Sequence, residues 1–239
     1  MADPVPLQQQ FWNEWNSSTR EQQLDEVSYR QAKVVLTWLG SIGRRDLDIL
    51  EVGCGSCWFC EELADYGQVT GTDLSNEVLA RAQKRMPSVK LVSGDFMSLD
   101  FGTEQFDVVV SLEVLSHVED QPAFVAKLAK HLRPNGTLML ATQNEPVLRK
   151  YNRLPPPKPG HIRKWVNRKE LVALLEKNFI VMDVSSVTLK ATRGPMRILS
   201  SRTFNRVLNK LIGDRFQRFM EANDFGWTLM ARARKRPGS

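Results

Sequence analysis

The chain has 239 residues, of which 42% are hydrophobic and 25% are charged, and its formal net charge is +6. This ordinary globular composition excludes a disordered chain, a collagen and a disulfide-linked miniprotein. No apolar run approaches the ~20 residues that a membrane-spanning helix needs. The N-terminal MADPVPLQQQ lacks the basic-then-apolar order of a signal peptide. We therefore expect a soluble, cytoplasmic protein.

The charge is divided unevenly along the chain. Residues 1–148 contain 12 basic and 21 acidic side chains, a net of −9, whereas residues 149–239 contain 21 basic and 6 acidic ones, a net of +15. This division indicates an acidic partner for the C-terminal part, with nucleic acid, anionic lipid and a phosphorylated substrate as candidates. A solvated basic surface without a partner explains the same numbers equally well.

Strand-like and helix-like segments alternate after an N-terminal helix that the apolar spacing predicts over residues 7–42. Strands are predicted at 47–52, 68–72, 89–92, 106–112, 137–142, 180–189 and 227–233. Further helices are predicted at 57–66, 76–86, 122–132 and 168–177. Alternation at this spacing predicts an α/β fold with a Rossmann-like, doubly wound, mostly parallel sheet and helices on both faces.

Two segments interrupt this alternation. Residues 151–160 (YNRLPPPKPG) hold four prolines and predict a loop. Residues 196–220 carry an apolar stripe at helical spacing with basic residues between, which predicts a basic helical insertion at about 194–222 between the last two strands. Such a helix packs on its own domain or rests on a membrane surface. We expect residues 1–44 to form an N-terminal helical cap and 45–239 to form one domain.

A glycine-rich turn, EVGCGSC at 51–57, ends the first strand and opens a helix. Glycines there let the backbone approach a ligand, and the helix N-terminus offers N–H groups to an anion. The nicotinamide fingerprint requires a third glycine at position 58, where this chain has Trp58. A bulky indole conflicts with the close helix–strand packing that this glycine permits, so a dinucleotide site is disfavoured.

Carboxylates at the ends of the next two strands favour a different ligand. Asp73 ends the second strand 18 residues after Gly55, where it can accept two ribose hydroxyls. Asp95 follows Gly94 after the third strand and is placed to meet an adenine edge. These positions predict an adenosine whose polar tail lies over the glycine turn.

Together these residues resemble the class I S-adenosylmethionine-dependent methyltransferases, in particular their small-molecule branch (methyltransferase types 11, 12 and 23). The resemblance is clear over about residues 45–145 and looser toward the C-terminus. The acidic-glycine loop matches at Glu51, Gly53 and Gly55 and departs at its last position, where Cys57 replaces glycine. The segment at 111–120 (SLEVLSHVED) resembles the branch pattern (E/D)xLxHxxD, and LRPNG at 132–136, GHIRKW at 160–165 and FGWTLMARARK at 225–235 also recur in the family.

This resemblance implies a seven-stranded sheet with an antiparallel final strand, S-adenosylmethionine as cofactor and methyl transfer as the reaction. The cofactor-binding residues that it implies are Glu51, Gly53, Cys54, Gly55, Asp73, Leu74, Asp95, Phe96 and Leu112. For the substrate it points to His161, Arg163 and Trp12.

His117 is the predicted catalytic residue. It follows the fourth strand at the edge where such sheets bind ligands, and a neutral imidazole there can take a proton from an acceptor hydroxyl. The alternative is a structural histidine bonded to the backbone. A base favours O-methylation of a small molecule, glycan or lipid-type metabolite, with N- or C-methylation and an inactive cofactor-binding partner subunit as alternatives.

No metal is expected, although Cys54, Cys57 and Cys60 have ligand-like spacing. A fourth cysteine is absent, and a cluster would occupy the turn that the cofactor needs. Nucleic acid is disfavoured as a partner because SLEV at 111–114 occupies the place of the (N/D)PP(F/Y)-type motif. The expected partner is a small-molecule acceptor, anionic or lipid-like, with peripheral membrane contact through the basic C-terminal half. The oligomeric state stays open.

Overall fold

A computed structural model describes residues 5–237 of the chain, apart from the side chain of Arg202. The strands are β1 (Leu47–Val52), β2 (Gly67–Asp73), β3 (Lys90–Ser93), β4 (Phe106–Leu112), β5 (Leu132–Gln143), β6 (Phe179–Val187) and β7 (Thr228–Lys235). They form one sheet in the order β3-β2-β1-β4-β5-β7-β6. The pairs from β3 to β5 are parallel, and β7 runs antiparallel to both β5 and β6. This topology confirms the predicted doubly wound sheet with an antiparallel final strand.

The α-helices within this range are α1 (Val5–Trp15), α2 (Glu26–Ile42), α3 (Cys60–Ala64), α4 (Asn76–Arg85), α5 (Gln121–His131), α6 (Glu145–Tyr151), α7 (Arg168–Leu175), α8 (Gly194–Leu199), α9 (Arg202–Ile212) and α10 (Arg215–Ala222). A π-helical turn, Asn16–Arg20, continues α1, and a 3-10 turn, Leu115–His117, follows β4.

The core lies on both faces of the sheet, as expected for parallel strands covered by helices. Successive residues of β1 alternate between the two sides. Ile49 packs in the cluster formed with α2, α3 and α4, whereas Leu50 packs in the one formed with α5 and α7. Each burial of such an aliphatic side chain stabilises the fold by about 1.5–3 kcal/mol. The ends of β1, β2 and β4 are thereby held rigidly side by side.

The single helix predicted over 7–42 is wrong. The chain leaves the helical path after Arg20, and α2 starts afresh because the Asp25 carboxylate accepts a hydrogen bond from the backbone N–H of Ser28 at 2.9 Å. The predicted helix at 57–66 is likewise shortened to α3. Its first residues belong to the tight turn instead, with Cys57 in a left-handed conformation at φ 57°.

The predicted basic insertion consists of three short helices, α8, α9 and α10. Ser201 caps α9 by accepting from the N–H of Phe204 at 3.2 Å, and Gly213, at φ 63°, ends it. The proline-rich segment that follows α6 is free of regular structure from 152 to 160, as predicted.

Candidate active site

The glycine turn links the end of β1 to β2 and comes close to the segment after β4. The N–H groups of Gly53 and Cys54 both donate to the Thr72 carbonyl, at 2.8 and 3.1 Å. Gly53 has φ 78°, and a Cβ atom there would lie 2.1 Å from Cγ2 of Val114. Only glycine fits this position, since any side chain would strain the backbone and push Val114 away.

Asp73 is tied to the turn by two backbone donors. The N–H of Gly55 donates to its Oδ2 and the N–H of Ser75 to its Oδ1, each at 2.8 Å. Each carboxylate oxygen keeps a further lone pair with which to accept a ligand hydroxyl. Burial raises the pKa of Asp73 and raises that of Glu51 to about 8, so Glu51 is mostly protonated at neutral pH.

A cavity of about 330 Å³ runs from this turn to His117. Its volume lies within the range of small-molecule sites. Of the predicted cofactor residues, it is lined by Glu51, Gly53, Gly55, Asp73, Leu74, Asp95, Phe96 and Leu112. The glycine turn, with the Asp73 carboxylate beside it in the cavity lining, fits an adenosine with an amino-acid tail.

Cys54 is the exception among the predicted cofactor residues, because its side chain does not line the cavity. Its thiol faces the core behind the turn, where a Cβ on Gly71 would lie 3.0 Å from the sulfur. The sulfurs of Cys54, Cys57 and Cys60 lie within 4.8 Å of one another, all buried. These three cysteines are not among the residues that line the cavity, and the absence of a metal stays a prediction.

His117 stands at the other end of the cavity on the 3-10 turn after β4. Its Nδ1 lies 2.8 Å from the carbonyl oxygen of Ile162. Because a carbonyl only accepts, Nδ1 carries the hydrogen and Nε2 is left with a free lone pair. Burial is the main cause that lowers the pKa of His117 to about 4, so the imidazole is neutral at pH 7.

Aromatic rings surround His117. The ring of Trp12, from α1, lies 4.7 Å from the imidazole between centroids, and that of His161 lies 5.1 Å from it. Phe11 stacks on His161 at 4.5 Å. Trp12 and His161 both line the cavity, which brings these two predicted substrate residues next to His117.

Arg163, the third predicted substrate residue, does not line the cavity. Its Nη1 donates to the Pro155 carbonyl at 2.6 Å, and its Nη2 lies 3.4 Å from Nδ1 of His161. The guanidinium thus holds the proline-rich loop against His161. A role of Arg163 in binding the substrate stays a prediction.

Helix α1 covers the adenosine end of the cavity. Gln9 donates to the Leu74 carbonyl at 3.2 Å, and Asn16 donates to the Ser75 hydroxyl at 2.7 Å. These bonds place the N-terminal segment directly over the residues that follow β2. Residues 1–4 of the expected cap lie outside the described range, and a cap domain at 1–44 stays a prediction.

Glu113 occupies the acidic position of the (E/D)xLxHxxD pattern, and the sequence offers it only as an alternative acid or base. It has φ 64° and lines the cavity beside Val114. One carboxyl oxygen accepts from Gln31 Nε2 at 2.5 Å and from Thr228 Oγ1 at 3.0 Å. Burial raises its pKa to about 7. The family pattern contains Glu113, but no sequence signal connects residues as far apart as 31, 113 and 228.

The part of the chain that the structure describes has no helix of the length and apolarity required to cross a membrane. Arg20, Lys190 and Trp227 also line the cavity, together with Asp25, which pairs with Arg20 at 3.4 Å.

Comparison with known proteins identifies related sequences and folds. A family model described as "Methyltransferase domain" matches residues 50–140. A probable S-adenosylmethionine-dependent methyltransferase of Mycolicibacterium smegmatis is 34% identical over 130 residues, 54% of this chain and 50% of the relative. This chain therefore spans about half the length of that protein and of its mycobacterial counterparts.

Two further matches cover most of this chain and most of the matched chain. A ubiquinone biosynthesis O-methyltransferase of Xanthomonas euvesicatoria is 31% identical over 205 residues, covering 79% of this chain and 84% of the relative. The crystal structure of 1,6-didemethyltoxoflavin-N1-methyltransferase of Burkholderia thailandensis, with its substrate and S-adenosylhomocysteine bound, has a TM-score of 0.66 at 19% identity. That match covers 99% of this chain and 92% of the other. It shows a shared fold.

Proposed function

This chain belongs to the class I S-adenosylmethionine-dependent methyltransferases and takes S-adenosylmethionine as its cofactor, and we propose that it methylates a hydroxyl group of a small molecule with His117 as the general base. One observation carries the proposal. The neutral imidazole of His117 is fixed through Nδ1 to the Ile162 carbonyl, which leaves Nε2 as a proton acceptor at the wall of the cavity.

When bound, S-adenosylmethionine supplies a methyl group on a positively charged sulfur, which is already activated for transfer. The chain's tasks are then alignment of the reactants and removal of a proton. The glycine turn and Asp73 hold the adenosine end, and the rings of Trp12 and His161 restrict the acceptor end. Positioning of this kind contributes up to ~7–11 kcal/mol in well-oriented systems. His117 Nε2 takes the hydroxyl proton, which contributes about 10²–10⁴-fold.

Two cations in the lining of the cavity support an anionic or lipid-like acceptor. Lys190 places its ammonium 4.8 Å from the Trp227 ring centroid, and Arg20 lies 5.0 Å from that of Trp15. Cations set among indoles suit a ligand that combines negative charge with apolar or planar surface. The O-methyltransferase description of the Xanthomonas relative also supports transfer to oxygen.

Transfer to nitrogen is the second candidate. The fold match to an N1-methyltransferase favours it, and an amine acceptor needs less help from a base. The two candidates differ in their dependence on His117. A nitrogen acceptor with a free lone pair would be methylated almost as fast without the imidazole.

Substitutions of His117 test the proposal. Calorimetry first measures S-adenosylhomocysteine binding, and a screen of hydroxylated phenolics, sugars and lipids identifies an acceptor. We expect His117→Ala and His117→Asn each to lower turnover about 10²–10⁴-fold while cofactor affinity stays nearly unchanged. Asn can still donate to the Ile162 carbonyl but cannot act as a base. Normal turnover of His117→Asn would assign the histidine a structural role only.

A further inference from the structure

Helices α8, α9 and α10 present an apolar surface to solvent. We name as the α8–α10 surface the exposed side chains of Ile198, Val207, Leu211, Ile212 and Phe219. Leu211 is 75% exposed, Ile198 64%, Phe219 63% and Val207 57%. No side chain from Thr203 to Ile212 is buried, although five of these ten residues are apolar. A contiguous exposed apolar patch of this kind marks an interaction site.

Basic side chains border this surface. Those of Arg197, Arg206, Lys210, Arg215 and Arg218 are all exposed. Arg218 pairs with Asp214 at 2.8 Å. The other four form no ion pair with any side chain that the structure describes. Their charge is therefore available to an anionic partner.

A polar groove lies on the other side of α9 from Val207 and Leu211. Its lining consists of Glu26, Leu189, Ser200, Asn205, Arg206, Asn209, Lys210 and Gln217. Four of these residues belong to α9 at positions 205, 206, 209 and 210, a spacing that places them on one face of the helix. The amides of Asn205 and Gln217 already donate within the protein, so Arg206, Lys210 and Asn209 are the lining groups suited to phosphate oxygens. Glu26, on α2, contributes an acidic group to the same lining.

We propose that the α8–α10 surface docks onto a bilayer that contains anionic phospholipid. The aliphatic side chains enter the boundary between headgroups and acyl chains, and the basic ones contact the headgroups. This is how amphipathic helices that lie in the plane of a membrane bind. Nucleic acid is a poorer occupant, because four of the five side chains are aliphatic and Phe219 is the one ring of this surface on which a base could stack.

The surface is tied firmly to the domain beside the acceptor end of the cavity. Glu221 of α10 accepts from the N–H of Thr188 at 2.9 Å and pairs with Arg30 of α2 at 2.9 Å. Leu189 lines the groove, and the next residue, Lys190, lines the main cavity. Docking would therefore place the acceptor end next to the bilayer, a consequence that rests on the proposed function and suits a lipid-like acceptor.

Vesicle flotation with the full chain tests the docking. We expect binding to vesicles of phosphatidylcholine with phosphatidylglycerol, weak binding to phosphatidylcholine alone, and loss of binding at high salt. Leu211→Glu should lower the partition coefficient about tenfold or more, since it replaces an inserted leucine by a charge. Met182→Glu is the matched control, because Met182 is 52% exposed on β6, away from the surface. Lys210→Gln should lower the partition coefficient about fivefold. Lys90→Gln, on β3, should leave the partition coefficient unchanged.

Equal binding to both vesicle types, no binding, or binding that Leu211→Glu leaves intact would each overturn the docking proposal. Self-association that Leu211→Glu abolishes, without vesicle binding, would overturn it in favour of a protein contact. Calorimetric binding of S-adenosylhomocysteine by every variant shows that the domain is folded. His117→Ala should bind vesicles like the parent chain, so failure of the catalytic proposal and failure of the docking proposal are distinguishable.

Discussion

The Nδ1 atom of His117 lies 2.8 Å from the carbonyl oxygen of Ile162, which joins the turn after β4 to the segment after the proline-rich loop. Two parts of the chain that are 45 residues apart thereby fix one tautomer of the imidazole. His161, the neighbour of Ile162, packs on the same ring. This single contact leaves Nε2 of His117 as the atom that can accept a proton, and it brings the ring of His161 against the imidazole.

The first prediction concerns the protonation of His117. Burial lowers the pKa of His117 and of His161 to about 4, below the ordinary value of 6.5. Between these values the unfolded chain binds a proton that the native chain does not, so stability should fall as the pH falls from about 6.5 toward 4. Nitrogen-15 NMR should show neutral His117 with hydrogen on Nδ1 at pH 5. A native titration midpoint near 6.5 would contradict this, and the urea-unfolded chain provides the reference.

The second prediction concerns the closeness of Gly53 to Val114. Gly53→Ala places a Cβ 2.1 Å from Cγ2 of Val114, whereas Gly43→Ala, at a similar φ of 73°, meets nothing within 4 Å. Both variants pay about 1–2 kcal/mol for a left-handed alanine. Gly53→Ala should lower the free energy of unfolding more than Gly43→Ala does. It should also weaken S-adenosylhomocysteine binding, since the glycine turn must shift. Urea titration and calorimetry measure both quantities.

A double-mutant cycle isolates the cause of that extra cost. In Val114→Ala the nearest remaining atom is Cβ of residue 114, at 3.5 Å from the new methyl group, which is an ordinary contact. The pair Gly53→Ala/Val114→Ala should therefore recover much of the stability and cofactor affinity lost in Gly53→Ala alone. If the losses in the two single variants simply add in the double variant, the strained backbone of the turn, and not the contact with Val114, is responsible for the extra loss in Gly53→Ala.

The sequence predicted well those features that depend on neighbouring residues. β1 and β4 have the predicted bounds because each is a short apolar run buried on both faces. Asp73 and Asp95 reach the cavity because successive parallel strands end at one edge of the sheet. These outcomes require only local patterns and the rules of parallel sheets.

Features that depend on tertiary contacts were not predictable. The bonds of Glu113 to Gln31 and Thr228 join three remote segments, and no spacing in the sequence encodes them. Arg163 was predicted to bind the substrate because of its motif, yet its guanidinium donates a hydrogen bond to the Pro155 carbonyl. Cys54 belongs to the family's cofactor loop, but its thiol turns to the core where Gly71 leaves room. In each case the direction of a side chain decides the role.

The third prediction concerns Glu51, whose pKa burial raises to about 8 from an ordinary 4.5. Between these values the native chain keeps a proton that the unfolded chain releases, so this group lowers stability as the pH rises from 4.5 to 8. Glu51→Gln removes the effect, which amounts to at most about 1.4 kcal/mol per pH unit. Without cofactor, the variant should gain stability relative to the parent chain between pH 5 and pH 8.

Chemical unfolding at several pH values measures this gain. Glu77→Gln is the matched control, since Glu77 is exposed on α4 and is not among the charges that raise the pKa of Glu51, so it should leave the pH dependence unchanged. A difference between Glu51→Gln and the parent that stays constant with pH would mean that Glu51 ionises normally in the folded chain.

The last prediction concerns Trp12, whose ring lies 4.7 Å from that of His117 and 5.9 Å from that of His161. Trp12→Ala removes these aromatic contacts, each worth about 0.5–1.5 kcal/mol, and admits water to the imidazole. The KM of the acceptor should rise severalfold. The acid limb of kcat/KM should also move from near pH 4 toward 6.5, because the pKa of His117 is held down mainly by burial. Leu7→Ala, on the same helix at a side chain 53% exposed, should change neither quantity. An unchanged acid limb in Trp12→Ala would show that α1 does not shield the base from solvent.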